Sequence, residues 1–246
     1  MNAHSSATVE AYWTGLLGCG VEDLRRPGVS VGTYRGPYRD AWWLRHGRSH
    51  VVSVPLDLVG RVRRVIDHRA PDAFDRPSIE GVLGSEARRI IGPCFLGYAD
   101  QESLRGAHHP NARPLGHDDT VPLRRLRESC AAEEWAESGV EIERPGLFGC
   151  FEEQRLVAVA SYEVWGGTLA HIGVITDPQR RGSGYGRAAA ASAANDALDR
   201  GLVIQWRALE SNSASVALGT SLGCTRWGSH FTALLTEPQR ADLENL

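Results

Sequence analysis

Residues 172–187 have the sequence Ile-Gly-Val-Ile-Thr-Asp-Pro-Gln-Arg-Arg-Gly-Ser-Gly-Tyr-Gly-Arg, and this stretch decides the fold. A short apolar run leads into Asp177-Pro178, two arginines and three glycines at alternate positions. An alanine-rich segment from Ala188 to Ala197 follows. Proline cannot donate to a strand ladder, so Pro178 ends the strand, while glycines permit left-handed backbone angles in a turn. The pattern therefore predicts a strand, a sharp turn and a helix.

A turn of this kind is suited to binding phosphate. The first N–H groups of a helix have no intrahelical partner, and the helix dipole adds partial positive charge there. Arg180, Arg181 and Arg187 add full charges nearby. A P-loop would need Lys-Ser/Thr where Arg187-Ala188 stands, and a dinucleotide fingerprint would need a glycine at Arg187. A purely structural turn with solvated arginines stays open as an alternative.

What remains is the pattern Gln179-x-x-Gly182-x-Gly184. It resembles the pyrophosphate-binding motif Q/R-x-x-G-x-G/A of the GNAT (GCN5-related N-acetyltransferase) superfamily. The order of the neighbouring segments fits as well. An apolar strand at 169–176 precedes the motif, a helix at about 187–200 follows, and a second apolar strand comes at 202–209.

Two shorter matches extend the resemblance, which covers about half the chain, from near Ala112 to Leu235. Asn212-Ser213-Ala214-Ser215 matches the family's N-x-x-A/S, and Leu222-Gly223-Cys224 matches its leucine-glycine-phenylalanine signature with cysteine as the last residue. Many family members also carry a tyrosine, which protonates the leaving thiolate, where this chain has Gly219. That departure concerns the mechanism rather than coenzyme binding.

The resemblance implies an α/β (α+β) chain with the GNAT fold, a mixed central sheet with splayed parallel strands flanked by helices. We expect this domain at 109–246. An N-terminal α/β lobe at 1–108 would precede it, and its alternation of strands and helices is compatible with a degenerate GNAT-like copy. The loop-like composition of residues 106–119 marks the boundary. Within the lobe, periodicity predicts one helix from Ile79 to Ile91 and a strand interrupted at Pro93.

The resemblance also implies acetyl-CoA as the acyl donor. In the family, the pantetheine arm lies between the splayed strands and the pyrophosphate rests on the glycine loop. The residues assigned to coenzyme binding are Val174, Ile175, Thr176, Gln179, Arg180, Arg181, Gly182, Ser183, Gly184, Tyr185, Gly186, Arg187 and Asn212. Asn212 is equally suited to cap a helix.

Transfer to an amine also requires a group that manages the amine proton. Glu210, at the end of the last central strand, and His171, on the strand that enters the loop, are the candidates. Glu163, at the end of a hairpin predicted from residues 147–152 and 155–163, is a third. Each has a structural alternative, as an exposed charge at a strand end or a satisfied histidine.

Composition narrows the choice of partners. Across 246 residues the formal net charge is −3, which argues against nucleic acid as the main partner. No stretch is long and apolar enough to span a bilayer, the start lacks signal-peptide features, and five scattered cysteines fit a cytoplasmic protein. His108, His109, His117 and the aspartates at 118 and 119 lack zinc-ligand spacing and cysteine partners, so we expect no metal. A homodimer is an open alternative to a monomer.

The sequence therefore predicts an N-acetyltransferase that moves acetyl from acetyl-CoA to a primary amine of a small molecule or peptide. One alternative is a non-catalytic acyl-CoA-binding or interaction module, suggested by Gly219. Another is a nucleic-acid-associated acetyltransferase that uses the arginines at 61–64.

Overall fold

The chain packs into two compact units, each assembled from separate stretches of sequence. In the computed structural model, residues 1–66, 74–105, 109–142 and 146–236 are described. The first unit comprises Met1–Thr8, Gly97–Arg207 and Asn212–Arg226; the second comprises Val9–Leu96, Ala208–Ser211 and the chain from Trp227 onward. The predicted lobe boundary involves residue 108, which lies outside the described residues, so it stays a prediction.

Helices and strands alternate along the chain. The helices are α1 (Ala3–Leu17), α2 (Val21–Arg25), α3 (Leu56–Ile66), α4 (Arg76–Leu83), α5 (Thr120–Ser129), α6 (Ala132–Glu137), α7 (Tyr185–Asp199) and α8 (Ser213–Ser221). The strands are β1 (Gly28–Thr33), β2 (Asp40–His46), β3 (Ser49–Val54), β4 (Ala87–Ala99), β5 (Ala112–Pro114), β6 (Phe148–Glu152), β7 (Arg155–Trp165), β8 (Leu169–Thr176), β9 (Val203–Leu209) and β10 (Thr225–Leu235).

The first unit is built on strands in the order β9-β8-β7-β6-β5. Strands β5 to β8 are antiparallel to their neighbours, and β6 and β7 form the predicted hairpin, in which Glu153 takes a left-handed φ of 54°. Strands β8 and β9 run parallel, but they pair over only three positions, from Leu169 with Val203 to His171 with Gln205. Beyond that pair β8 continues to Thr176, and β9 is no longer its partner.

Helices cover both faces of these strands. Helix α7 packs on one face, where a Cβ at Gly186 would lie 2.5 Å from the Oγ1 of Thr176, so the helix approaches β8 closely. Its buried alanines present little bulk to the sheet. On the other face, α5 and α6 bury Leu126 and Trp135 in a cluster with Ile175. Alternate residues of β8 therefore face α7 and the α5–α6 side.

The second unit has its own core. Strand β1 pairs parallel with β3, and β3 and β10 flank β2 in antiparallel pairs. Val59 of α3 and Ile79 of α4 are buried in one cluster with Trp43, Val52 and Phe231 of the strands. The predicted fold class, mixed sheet flanked by helices, is confirmed.

The predicted helix from Ile79 to Ile91 is wrong in its second half. Helix α4 ends at Leu83, and Gly84 follows with a left-handed φ of 60°, which breaks the helix. From Ala87 onward the chain is strand β4, where the β-branched Ile90 and Ile91 pack well. The predicted interruption at Pro93 is also wrong, since β4 runs through it to Ala99.

Gly219 of α8 provides a test of packing in the first unit. A Cβ at this position would lie 2.5–2.7 Å from ring atoms of the buried Trp206. We expect Gly219→Ala to lower the free energy of unfolding by about 1–3 kcal/mol, because overpacking a rigid indole costs more than the helix propensity of alanine returns. Urea unfolding measures this change.

Gly60→Ala is the matched control, since Gly60 is exposed in α3 and a Cβ there would meet nothing within 4 Å. This variant should gain about 0.5–1 kcal/mol from helix propensity alone. Equal gains for both variants would contradict the packing described around Trp206.

Candidate functional site

The turn between β8 and α7 is held by the carboxylate of Asp177. This side chain is buried, accepts a hydrogen bond from the backbone N–H of Gln179 at 2.9 Å, and pairs with Arg155 at 2.5 Å. The Asp177 N–H also donates to the carbonyl of Val157 at 2.8 Å. These contacts fix where β8 ends, and hence where the glycine turn begins.

The glycines of the turn adopt left-handed backbone angles and leave the surface above the turn open. Gly182 and Gly184 have φ angles of 78° and 86°, and a Cβ at either would meet nothing within 4 Å, so the surface above them is open. Gly184 is the N-cap of α7 and leads into the first-turn N–H groups of Tyr185, Gly186 and Arg187. An open surface of main-chain N–H groups at a helix N-terminus is a site for a phosphate or diphosphate.

The arginines of the turn are all engaged by groups of the protein. Arg180 donates to Glu152 at 2.6 Å, and Arg181 forms a two-pronged pair with Glu134 of α6 at 3.0 and 2.9 Å. Arg187 donates to the carbonyls of Arg105 and Ser221. A diphosphate on the turn would therefore meet the carboxylates of Glu134 and Glu152 near the cations.

These pairs also shift the ionisation of their members. The hydrogen bond with Arg181 lowers the pKa of Glu134, and that with Arg180 lowers the pKa of Glu152. Tyr185 donates to the other oxygen of Glu152 at 2.9 Å, and this hydrogen bond raises the pKa of the phenol. Both carboxylates are therefore ionised at neutral pH and compete with an anion for the arginines.

Strands β8 and β9 part beyond the pair of His171 and Gln205, and this fork lies in the same unit as the turn. The N–H of Val174 donates to the carbonyl of Ser138 at 3.1 Å. A Cβ on the preceding Gly173 would come within 2.6 Å of Gly139 and 2.7 Å of Ser138, so this close approach requires glycine. The 138–139 segment therefore covers one of the main-chain groups predicted to pair with pantetheine. Ile175 points into the core between α5 and α6, and Thr176 faces α7.

Asn212 caps helix α8, as its structural alternative predicted. Its side-chain oxygen accepts a hydrogen bond from the N–H of Ser215 at 3.0 Å. The residue as a whole is exposed.

Of the predicted proton acceptors, His171 has the most unusual surroundings. Burial, and secondarily the charge of Arg207, lower the pKa of His171 to about 3, against the opposing influence of Glu163. The ring lies 4.8 Å from that of Trp165. Glu163 pairs with His171 in the β7–β8 register, so the two side chains share a face of the sheet. His171 is consequently neutral at physiological pH.

Glu210 belongs to the second unit, where it directly follows β9. Its carboxylate accepts a hydrogen bond from the hydroxyl of Ser229 at 2.5 Å, and its N–H donates to the carbonyl of Pro93 at 2.9 Å. The side chain is half-buried. A hydroxyl donor of this kind fixes the orientation of a carboxylate.

An aromatic ring packs against residue 219, the position where many family members have a tyrosine. Trp206 lies against Gly219 and donates its indole N–H to the hydroxyl of Ser215 at 3.2 Å. A tyrosine at 219 has no room, so Gly219 is explained by packing.

The histidine-rich loop shows no arrangement of metal ligands where it is described. His108 lies outside the described residues. Asp119 is bound by Arg113 at 2.7 Å, and the ring of His109 accepts from the N–H of Asn111 at 3.2 Å. Within residues 1–66, 74–105, 109–142 and 146–236, no group of three or more His, Cys, Asp or Glu side chains could hold a metal ion.

Sequence reasoning missed the glutamates that engage the arginines, because they are distant along the chain. It also missed Gln205, which is wholly buried on β9 and accepts a hydrogen bond from Tyr98 at 2.8 Å. Gln205 did give a signal, since it is a polar residue within the apolar run at 202–209.

Residues 114–223 match the acetyltransferase (GNAT) family. This segment, which includes β8, the glycine turn, α7 and β9, is therefore a domain of that family, as the motif predicted. No curated protein matches the chain. No helix among the described residues has the length and apolar character that crossing a membrane requires.

Solved structures of the same family resemble the chain at low identity. An acetyltransferase from the GNAT family of Colwellia psychrerythraea shares 16% identity, with a TM-score of 0.49 over 65% of this chain and 62% of that one. A GCN5-related N-acetyltransferase from Kribbella flavida shares 15% identity, with a TM-score of 0.48 over 68% of this chain and 66% of that one. The chain thus spans slightly less than two thirds of each.

A further solved structure covers a smaller share of this chain. The ribosomal-protein-S18-alanine N-acetyltransferase from Escherichia coli shares 20% identity, with a TM-score of 0.38 over 52% of this chain and 96% of that one.

Gly182→Ala tests whether the turn binds a diphosphate. A Cβ would protrude into the open surface, so we expect affinity for CoA to fall by about tenfold or more, equivalent to one lost charge-assisted hydrogen bond. Gly201→Ala is the matched control at the other end of α7, because its φ of 77° and its open surroundings equal those of Gly182. Calorimetric titration with CoA should distinguish the variants, and equal affinities would exclude this turn as the site.

Glu134→Gln tests the competition for Arg181. Removing the carboxylate releases the guanidinium and eliminates repulsion of an incoming diphosphate, so affinity for CoA should rise severalfold. Glu133→Gln, an exposed neighbour on α6, makes the same change in net charge without touching Arg181. A rise in both variants would mean that net charge alone is responsible.

The protonation of His171 can be followed by NMR. Because its pKa is about 3, the imidazole should stay neutral as the pH falls from 8 to 5, whereas an ordinary imidazole titrates near 6.5. The unfolded chain binds this proton more readily, so the folded state loses stability as the pH falls below about 6.5. A His171 titration midpoint near 6.5 would contradict the described burial.

Proposed function

We propose that this protein is an acyl-CoA-dependent N-acetyltransferase that transfers acetyl from acetyl-CoA to a primary amine of a small molecule or peptide. The observation that carries the proposal is the open glycine turn of Gly182 and Gly184 at the start of α7, beside a parallel strand pair that parts after three residues. A glycine turn next to a gap between two strands suits two adjoining parts of CoA, its anionic diphosphate and its extended amide-bearing arm.

The turn supplies the anion-binding half of the proposal. Main-chain N–H groups from Gly182 to Arg187 would hold the diphosphate without desolvating a lysine or arginine. The arginines would contribute secondarily, once the diphosphate competes with Glu134 and Glu152. Tyr185 and Ser183 lie within the same surface.

The fork between β8 and β9 would position the pantetheine arm of CoA. Val174 would donate its N–H to a carbonyl of the bound arm after giving up its bond to Ser138, because one N–H forms one strong hydrogen bond at a time. Ile175 and Thr176 would contribute packing on the two faces of β8, and Asn212, which is exposed, would offer its amide nitrogen while it caps α8.

Acetyl-CoA supplies an activated thioester, so the chain's own residues must orient the amine and manage its proton. An alkyl amine has a pKa near 10, about three units above neutrality. Glu210 is the better candidate for this proton, because the hydroxyl of Ser229 orients its carboxylate, whereas the Nδ1 of His171 is buried. Glu163 remains a further candidate.

The cellular location is part of the proposal. Cys19, Cys94, Cys130, Cys150 and Cys224 are all free thiols in the structure. Unpaired cysteines are typical of a reducing compartment, which supports the cytoplasm, where acetyl-CoA and amine acceptors are both available.

A non-catalytic acyl-CoA-binding module is the second candidate. It is favoured by the packing of Trp206 against Gly219, which leaves no room for a tyrosine, so this acid is absent from position 219. The proposed alternative involving nucleic acid loses support, because Arg61 donates to the carbonyl of Leu83 at 2.7 Å and pairs with Glu86, and Arg63 lies 3.5 Å from the carbonyl of Val31.

A thiol-release assay with acetyl-CoA and a panel of primary amines separates the two candidates. Turnover with a physiological amine excludes a pure binder. Glu210→Gln should lower kcat/KM by about a hundredfold or more, the usual contribution of a general base, while the amide still accepts from Ser229. Glu137→Gln on the exposed side of α6 is the charge-matched control and should leave the rate unchanged. Tight CoA binding without turnover would favour the binder.

A further inference from the structure

Two buried polar atoms lack hydrogen-bond partners at the fork between β8 and β9. They are the Nε2 of Gln205 and the Nδ1 of His171, and neither has a partner among the residues that the structure describes. Gln205 is wholly buried. Buried polar atoms are nearly always paired with protein or with ordered water, so two unpaired atoms together indicate a missing third group.

The two atoms belong to side chains on the same face of the sheet. His171 and Gln205 are register partners in the parallel ladder, and they form its last pair before the strands part. Side chains that pair in register stand next to each other on one face. That face is the one on which Gly173, two residues along β8, contacts the 138–139 segment, opposite to α7.

The orientation of the Gln205 amide is set from its other side. Tyr98 of β4 donates its hydroxyl to the Oε1 of Gln205 at 2.8 Å. With its oxygen engaged, the amide presents Nε2, a donor, to the remaining space.

The imidazole of His171 offers a hydrogen-bond acceptor, which complements the Nε2 donor of Gln205. Burial and the charge of Arg207 keep His171 neutral, with a pKa of about 3, so one ring nitrogen carries a lone pair at physiological pH. Arg207 stands 4.9 Å over the ring of Trp165, which itself packs on His171, and Glu163 pairs with His171 from β7. These neighbours hold the ring in place.

We propose that Gln205 and His171 together bind one hydroxyl oxygen at this fork, either of an ordered water or of the acceptor substrate. The hydroxyl accepts a hydrogen bond from Nε2 of Gln205 and donates its own hydrogen to Nδ1 of His171, which satisfies both atoms at once. This assignment rests on the proposed function for its role in the reaction. His171 and Gln205 then act as positioning residues for the acceptor side and not as bases.

A high-resolution crystal structure of the whole protein without substrate tests the site directly. We expect an oxygen within about 2.7–3.2 Å of both Nδ1 and Nε2. A direct hydrogen bond between Nδ1 of His171 and the side-chain amide of Gln205, or an empty space between these two groups, would overturn the proposal. This experiment needs no turnover, so its outcome is independent of whether the protein is an acetyltransferase.

Kinetics with two amines then distinguish the source of the oxygen. If the acceptor supplies it, ethanolamine should have a kcat/KM about tenfold above that of propylamine, and Gln205→Met should abolish this preference, since one hydrogen bond lost at a buried site is worth about that factor. If a water supplies it, the two amines react alike and Gln205→Met lowers both rates while KM for acetyl-CoA is unchanged.

His171→Asn is the conservative variant, because an amide oxygen can replace Nδ1 as an acceptor, and His171→Leu removes it. Activity should be retained in His171→Asn and fall in His171→Leu. Equal losses in both, with Gln205→Met unaffected, would count against the site. No turnover of either amine would refute the proposed function, and the crystal structure would still decide the hydroxyl site.

Discussion

The organisation of the family domain depends on the early end of the β8–β9 ladder. These parallel strands pair over three positions and then part, so the main-chain groups on the β9 side of β8 lose their neighbour beyond His171, while β7 stays paired on the other side. Buried main-chain groups must be paired, and the N–H of Val174 is paired here with a carbonyl of the 138–139 segment. A ladder that continued to Thr176 would leave no place for an extended ligand. The separation of the two strands thus creates the space, and the glycine turn at the end of β8 supplies main-chain N–H groups for an anion.

Glycine has three physical roles around this space. At Gly182 and Gly184 it allows left-handed backbone and an open surface above the helix N-terminus. At Gly173 and Gly186 it lets a neighbouring segment approach β8 from either face. The carboxylates of Glu134 and Glu152 hold the nearby arginines, so the unliganded turn is electrostatically balanced before any anion arrives. Binding a diphosphate therefore exchanges one set of ion pairs for another, which moderates the net gain.

Local sequence predicted the elements that bear the motif, and it did so for physical reasons. Leu169–Thr176 is an apolar run that ends before a proline, and the motif helix begins within two residues of its expected start at Arg187. Contacts between distant residues could not be predicted. Nothing near Arg181 in sequence indicates that Glu134 binds it, and nothing near Gly219 indicates that Trp206 packs against it. The helix predicted for Ile79–Ile91 is wrong in its second half. Its apolar spacing suits a helix, but Gly84 ends the helix and the β-branched Ile90 and Ile91 favour a strand.

Binding of the CoA diphosphate by main-chain amides of the glycine turn can be observed residue by residue with amide NMR. In a titration of the labelled protein with CoA, the N–H signals of Gly182 to Gly186 should shift downfield and saturate together, as expected for amides that donate to an anion. The amide of Gly201, at the far end of the same helix, should hardly move. Saturable shifts elsewhere with unmoved signals in the turn, or no shifts at all, would contradict the account.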